Sequence, residues 1–567
     1  MTVDIRIPAL ALAGILPLVT ACGGIRHNLG SSDQVPIVAA DAGGNTGFDG
    51  SVDGPVMGAF FGLGFIKGDI AKLDGTPSAG TATMIAYPLD GALYPANFGP
   101  ITVQVTKESS SQTLARLRWS GDGVDLRYYA VCEPDPSSTA GCFVTIPLWF
   151  TSPLVAASQH TDIALDARLA AVNGDGLSAS QPIKMFWASA ALSGGLYYWT
   201  TIPGKAKGTT GIARYDFGNV ANRQVVYVGD TSTPPNHSNP NHCVGCHAIT
   251  PDGSKLALTL GGSSPSDFML LDVATKAILA LKNAGPGGFA TFTTFAPDGT
   301  RMINSYRGDL YLREVNATLT DVAAVLNSVQ TEKKTDPFWS ADGALFAFTS
   351  WVPGQNGALP AADPDALNGD TRAGGQIWVA NSDGATVQDA ARLVVPRAPG
   401  VTSYYPALSD DSNLMVFNQS SCSGPPTPGT TGINPCDGYD DLSARLFLVP
   451  PTGGAPIALD NANGAGANSN SWPRFSPDHG TFRGQRLYWI AFSSRRPYGL
   501  QVNTGTTVAN PGKPQLWFTA VAITDGGFPT RDPSFPPIWL PDQNPAQAPP
   551  NGNHVPQWVR RVVPIIP

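Results

Sequence analysis

The stretch Thr250-Pro-Asp-Gly-Ser-Lys-Leu-Ala-Leu258 is a turn followed by an apolar run, and it recurs. Ala296-Pro-Asp-Gly-Thr-Arg-Met-Ile-Asn304 and Ser340-Ala-Asp-Gly-Ala-Leu-Phe-Ala-Phe348 are copies, and Ser409-Asp-Asp-Ser-Asn-Leu-Met-Val-Phe417 is a weaker one. Ser476-Pro-Asp478 opens another, with a longer turn before Arg486-Leu-Tyr-Trp-Ile-Ala-Phe492. In Asp-Gly the carboxylate accepts local backbone N–H groups and glycine takes the positive φ that the turn needs. Each copy is followed by a second apolar run: Phe268–Val273, Leu310–Val315, Ile377–Ala380, Leu446–Val449 and Leu516–Ala520. Gly195–Trp199 with Ile212–Phe217 forms an earlier, partial unit. The runs are largely apolar, which predicts strands buried on both faces. Four-stranded sheets packed radially meet that demand, because each covers its neighbour's face. One sheet alone cannot, so the units are expected to close into a ring. Six units are counted, with six to seven sheets expected, and the turn aspartates need no catalytic role.

Composition agrees with an all-β chain. Its 567 residues include 62 Gly and 51 Pro with only 14% charged residues, a turn-rich balance and not a disordered one. The net charge of −8 offers no basic footprint for nucleic acid. Upstream of the repeats, Ala82–Tyr87, Ile101–Thr106, Thr113–Trp119, Leu126–Val131, Phe143–Phe150 and Pro182–Trp187 read as strands. Asp162–Val172 fits a helix or a strand. Runs at this spacing predict an immunoglobulin- or fibronectin-like β-sandwich over residues 55–190, followed by the repeat domain over 191–567.

The chemical motif overlaps the first copy of the repeat. Cys243-Val-Gly-Cys-His247 is C-x-x-C-H, the attachment pattern of c-type haem. Cys243 and Cys246 are expected to form thioethers to the vinyl groups, with His247 as proximal iron ligand. The sixth ligand is open: His237, Met269 and His554 are candidates, while His242 lies too close in sequence to swing round. Two other readings stand beside haem. The cysteine pair can be a short structural disulfide, or half of a zinc site with His242 or His247 added.

The first 21 residues read as a lipoprotein signal peptide. Ile7–Val19 is an apolar segment too short to span a bilayer, and Val19-Thr20-Ala21-Cys22 resembles a bacterial lipobox. Cys22 is the expected lipidation site, and Gly23 after it implies sorting to the outer membrane. Residues 22–54 form a Gly- and Asp-rich tether. Export makes disulfides natural for Cys132 with Cys142 and Cys422 with Cys436, since each pair flanks a short loop.

Two units are stretched, at Val352–Gly375 and Ser420–Asp441, and long loops on a rigid scaffold commonly carry binding. The Pro- and Trp-rich tail, Arg531–Gln543 and Asn553–Arg561, is expected to wrap a surface and cover the ring closure.

On the Ser/Thr-Pro-Asp-Gly-x-x-φ-Ala-φ copies, residues 195–525 resemble the TolB-like, WD-type β-propellers. The wider layout is similar to exported propeller proteins of the myxobacterial and delta-proteobacterial kind. That likeness rests on Tyr87–Pro95, Gly195–Trp199, Gly211–Gly218, Cys243–His247 and the tail from Asp532 through Trp539. The resemblance implies protein–protein contact at the envelope and no defined catalysis. C-x-x-C-H departs from ordinary TolB-like repeats. No G-x-S-x-G elbow or H-E-x-x-H is present, so an enzyme is the weakest reading. The expectation is a lipid-anchored propeller that binds envelope proteins and carries one haem c at Cys243, Cys246 and His247 for electron transfer or redox sensing. The alternative is a haem-free interaction propeller in which Cys243–Cys246 is a disulfide.

Overall fold

The Asp-Gly turns behave as their chemistry predicts. Asp252, Asp298 and Asp342 each accept the backbone N–H two residues on, from Ser254, Thr300 and Ala344. Gly253, Gly299 and Gly343 take φ of 74°, 69° and 77°. Asp411 in the weaker copy accepts from Asn413, and Ser412 supplies the positive φ at 57°. The computed structural model describes residues 55–77, 83–135, 138–203, 205, 209–217, 223–229, 243–260, 267–282, 292–329, 332–353, 374–421, 441–501, 506–507, 510–543 and 552–565. Cys22, His237, His242, Cys422 and Cys436 lie outside the described residues, as do the signal segment and the whole tether.

Each turn joins two neighbouring strands of an antiparallel sheet, and six such sheets follow one another along the described chain. The strand before the turn is the first of its sheet: Val244–Ile249, Thr293–Phe295, Lys333–Trp339, Val401–Leu408 and Ser471–Phe475. The strand after it is Lys255–Leu260, Arg301–Tyr306, Leu345–Trp351, Met415–Ser421 or Gln485–Ser494. These second strands are almost wholly buried, as their composition predicts.

The remaining sheet holds Gly195–Thr201, Thr210–Asp216 and Arg223–Val228, and its first strand comes from the other end of the chain. Asn553–Val559 pairs antiparallel with Gly195–Thr201. The first strands touch in sequence around a circle, and Asn553–Val559 touches both Ser471–Phe475 and Val244–Ile249. The circle is therefore closed, and the arrangement is a β-propeller. This corrects the expectation for Asn553–Val559, which supplies a hub strand of the ring and does not merely cover its closure. Ile538–Trp539 likewise adds an edge strand to the last sheet, beside Trp517 and Phe518. Prolines discourage a central strand because they remove ladder donors. Pro556 escapes that rule by sitting where the ladder skips.

Residues before 190 form two further sheets. One is seven-stranded, running Val56–Phe61, Val124–Val131, Gln112–Gly121, Ile163–Ala171, Ile183–Trp187 and Ala92–Tyr94, with Ser178–Ala179 beside Ile163–Ala171. Both of its end pairs are parallel. The other sheet is Ile85–Tyr87, Ile101–Thr106, Ser138–Ile146 and Glu133–Asp135. Asp162–Val172 resolves as a strand over Ile163–Ala171, whose alternate residues are buried. Trp149 and Phe150 belong to the helix Leu148–Ala157 and not to a strand. Cys132 and Cys142 are disulfide-bonded, with Cα atoms 5.2 Å apart.

The two parts share one core. Trp119, Leu165, Met185 and Trp187 belong to the same buried cluster as Leu196, Tyr198, Trp489, Phe518 and Ile538 of the ring. Tyr87 Oη accepts from Trp539 N at 2.9 Å and from Tyr94 Oη at 3.1 Å. Leu500 N donates to Gln104 Oε1 at 2.8 Å. The described residues accordingly make one compact unit.

Candidate functional site: the hub of the ring

The C-x-x-C-H motif lies on the first strand of its sheet, at the centre of the ring. Gly245 pairs with Thr259 and Ala248 with Ala257, so Cys246 and His247 together face the single residue Leu258. This is a β-bulge, two residues opposing one. The same irregularity occurs at Asp336-Pro337, Tyr405-Pro406 and Trp472-Pro473, which face Phe348, Phe417 and Phe492. It occurs again at Val555-Pro556, opposite Tyr198. The first bulge residue is left-handed every time, with φ of 43° at Cys246, 51° at Asp336 and Tyr405, and 56° at Trp472 and Val555. The second is proline in four bulges and His247 in the fifth. A bulge leaves that N–H out of the ladder, so proline costs nothing there.

The first bulge residues converge. Phe292, Tyr404, Tyr405, Trp472 and Val555 form one buried cluster, with Cys246 packed on it. Tyr405 stacks on Trp472 with centroids 3.7 Å apart, and Phe292 meets the same indole at 5.3 Å. The hub is thus filled with side chains. A cavity of about 10 Å³ remains, lined by Cys246, His247, Asp336, Trp472, Arg474 and Val555 among others.

Three charged or titratable groups surround it. The Arg474 side chain is buried, with guanidinium over Phe338 at 5.2 Å and Trp472 at 5.8 Å, and Nη1 donates to Pro473 O at 2.9 Å. Burial pulls its pKa down to about 10, while the Asp336 charge opposes the fall, so it stays a cation at neutral pH. Asp336 Oδ2 accepts from Tyr405 N at 3.2 Å. His247 is 2% exposed, and the backbone of Tyr197 is the one polar group among the described residues that meets its ring. Burial pushes its pKa down to about 3, against a hydrogen bond with the Tyr197 backbone that raises it and with smaller help from Arg474 and His554, so the imidazole is neutral at physiological pH.

The structure separates the expected site residues. Cys243 and Cys246 are not disulfide-bonded to one another in this arrangement. Cys243 sits at the head of the strand, its thiol pKa raised by burial and lowered less by a hydrogen bond with Thr210. Met269 pairs with Leu258 on the next ladder and packs among Leu256, Leu271 and Val273, away from the hub. His554 is on a hub strand and buried, with Nδ1 2.5 Å from Ser493 Oγ. Arg474, Asp336, Tyr405 and Trp472 went unread in the sequence. Their signal is present: an X-Pro pair five to six residues before the turn aspartate.

No family model matches the chain, and no curated protein matches it. Among solved structures it is similar to TolB from Acinetobacter baumannii, at 14% identity and TM-score 0.35 over 70% of this chain and 79% of that one. It is also similar to a protein assigned as TolB from Agrobacterium tumefaciens, at 14% identity and TM-score 0.32 over 61% of this chain and 90% of that one. A third is an oligogalacturonate lyase from Vibrio parahaemolyticus, at 12% identity and TM-score 0.30 over 58% of this chain and 71% of that one.

A haem does not fit the hub as it is arranged. A ligand of that size needs roughly 300 Å³ or more, against the cavity of about 10 Å³ beside Cys246 and His247. No group of three metal-ligating side chains occurs among the described residues.

Proposed function

We propose that this chain is an exported, lipid-anchored binding platform of the cell envelope. In this reading it is a six-bladed TolB-like propeller behind an immunoglobulin- or fibronectin-like sandwich, with parallel strands added at its edges, and it carries no haem. One observation supports the haem-free form. Cys246-His247 occupies the bulge that X-Pro pairs occupy in four other hub strands, so the pair already has a structural role. The filled hub leaves the faces of the ring for binding.

One face is favoured. The long connections that follow Leu345–Trp351, Met415–Ser421 and Gln485–Ser494 are the same connection in three adjacent sheets. They therefore leave the ring side by side, and the first two are the stretched segments of the sequence. Replacing residues 354–373 or 422–440 with a short Gly-Ser link is expected to leave thermal unfolding unchanged and remove crosslinks to envelope proteins. Unchanged crosslinks in both variants contradict this choice of face. Fatty-acid labelling of the protein, lost in Cys22→Ser, tests the anchor separately.

A further inference from the structure

We propose that the tip of the amino-terminal domain at residues 62–66 inserts into the interfacial region of a lipid bilayer. The strand Val56–Phe61 is the end strand of its sheet and runs parallel to Val124–Val131, so both finish at one end of the domain. There Gly62-Leu63-Gly64-Phe65-Ile66 turns back, with Phe65 N donating to Gly62 O at 3.2 Å. Gly64 has φ of 81°, which a turn this tight requires of glycine. Leu63 is 102% exposed and Ile66 68%, so the turn projects its apolar side chains outward.

Neighbouring elements extend the apolar tip. Val131 Cγ2 lies 3.7 Å from the Cβ position of Gly64, and Val131 is itself exposed. Trp149, 59% exposed, packs beside Phe60 with ring centroids 5.7 Å apart. On the opposite face Phe61 stacks on Phe65 at 6.0 Å, with the Lys67 ammonium 5.2 Å over the Phe61 ring. Apolar surface at a projecting tip, with a tryptophan and a lysine at its margin, is the composition that settles at a membrane–water interface. A bilayer accepts a projecting tip without a matching groove, whereas a protein interface needs shape complementarity.

The chain outside the described residues points to the same occupant. The tip rests on the lipid-anchor reading above: the tether of residues 22–54 joins Cys22 directly to the strand that ends in the tip. Thirty-three residues can reach well beyond ~30 Å, since an extended chain covers about 3.3 Å per residue, and a six-residue strand spans about 20 Å. The anchor and the tip can therefore meet one membrane surface together.

The test is flotation with vesicles of phosphatidylethanolamine and phosphatidylglycerol, using the mature chain carrying Cys22→Ser so that no acyl chain contributes. It is expected to float, and Leu63→Asp with Ile66→Asp to lower the bound fraction about tenfold, the factor carried by burying one large aliphatic side chain. Thermal unfolding of the variant is expected to stay unchanged, because both side chains are exposed. Leu63→Trp is expected to keep binding and to shift its emission to the blue on adding vesicles. Failure of the Cys22→Ser chain to float, or equal flotation of the Asp variant, overturns the proposal. So does a dimer that the Asp substitutions convert to monomer, which assigns the tip to a second copy. Absence of fatty acid on the natural protein ends the anchor reading alone, since the tip is judged without it.

Discussion

His247 is the residue at which the chemistry of the motif and the physics of the ring diverge. As a haem ligand it needs a nitrogen aimed at iron. In the hub it is enclosed and neutral, met by the Tyr197 backbone, its pKa depressed to about 3 by burial. The unfolded chain takes up this proton near pH 6.5, the folded one only near 3. Between those values the unfolded state binds more protons. The contribution to stability is whole above about pH 6.5 and is lost as pH falls toward 3, by up to about 1.4 kcal/mol per pH unit. Carboxylates add their own acid dependence, so the informative quantity is the difference from His247→Leu. Chemical denaturation from pH 7 to 4 is expected to show a shallower fall for that variant. Its stability at pH 7 is expected to change by no more than about 1 kcal/mol, because leucine fills the same enclosed space and only the contact with the Tyr197 backbone is lost. A steeper fall, or a large loss at pH 7, contradicts the assignment. C-x-x-C-H is legible as a spacing in five residues. The enclosure is not legible there, because it comes from Trp472, Arg474 and His554, far along the chain.

At the scale of elements, the strands after each Asp-Gly turn were readable because two-sided burial makes them continuously apolar. The hub strands before the turns were harder. Their prolines at 337, 406, 473 and 556 argue against a strand, and only the bulge, where the ladder skips a residue pair, makes them compatible. The equivalence of His247 to those prolines can be tested. His247→Pro is expected to fold into the closed ring. Ala248→Pro, one residue on and paired with Ala257, is expected to cost about 3 kcal/mol or more. Thermal melts of the two variants check this, and equal damage from both contradicts the equivalence. In the amino-terminal domain, the Cys132–Cys142 disulfide spans 10 residues and is expected to add about 3 kcal/mol by restricting the unfolded chain. Cys132→Ser with Cys142→Ser is accordingly expected to lower the urea midpoint.

The whole molecule depends on one long-range closure. Asn553–Val559 supplies the hub strand of the sheet that begins at Gly195, so the last and first strands of the ring hold one another. Arg560 N donates to Pro251 O at 3.0 Å and ties the chain end to the first Asp-Gly turn. Truncation after Gln543 is expected to abolish the cooperative melt of the ring and yield an aggregating chain, read by calorimetry and sedimentation. A truncated protein with an intact transition contradicts the closure. Ring formation was legible because one repeat unit cannot bury its own faces. Which segment completes the ring was not, because the pairing joins residues more than 350 apart in a tail whose prolines conceal a strand. The same holds for the continuous core joining both parts, built from Trp119 and Trp187 on one side and Trp489 and Phe518 on the other.

The most direct measurement is the intact mass and visible spectrum of the mature protein, expressed with cytochrome c maturation machinery. A filled hub predicts a colourless protein whose mass includes no haem. A Soret band with the mass of one haem, both lost in Cys243→Ala with Cys246→Ala, contradicts it.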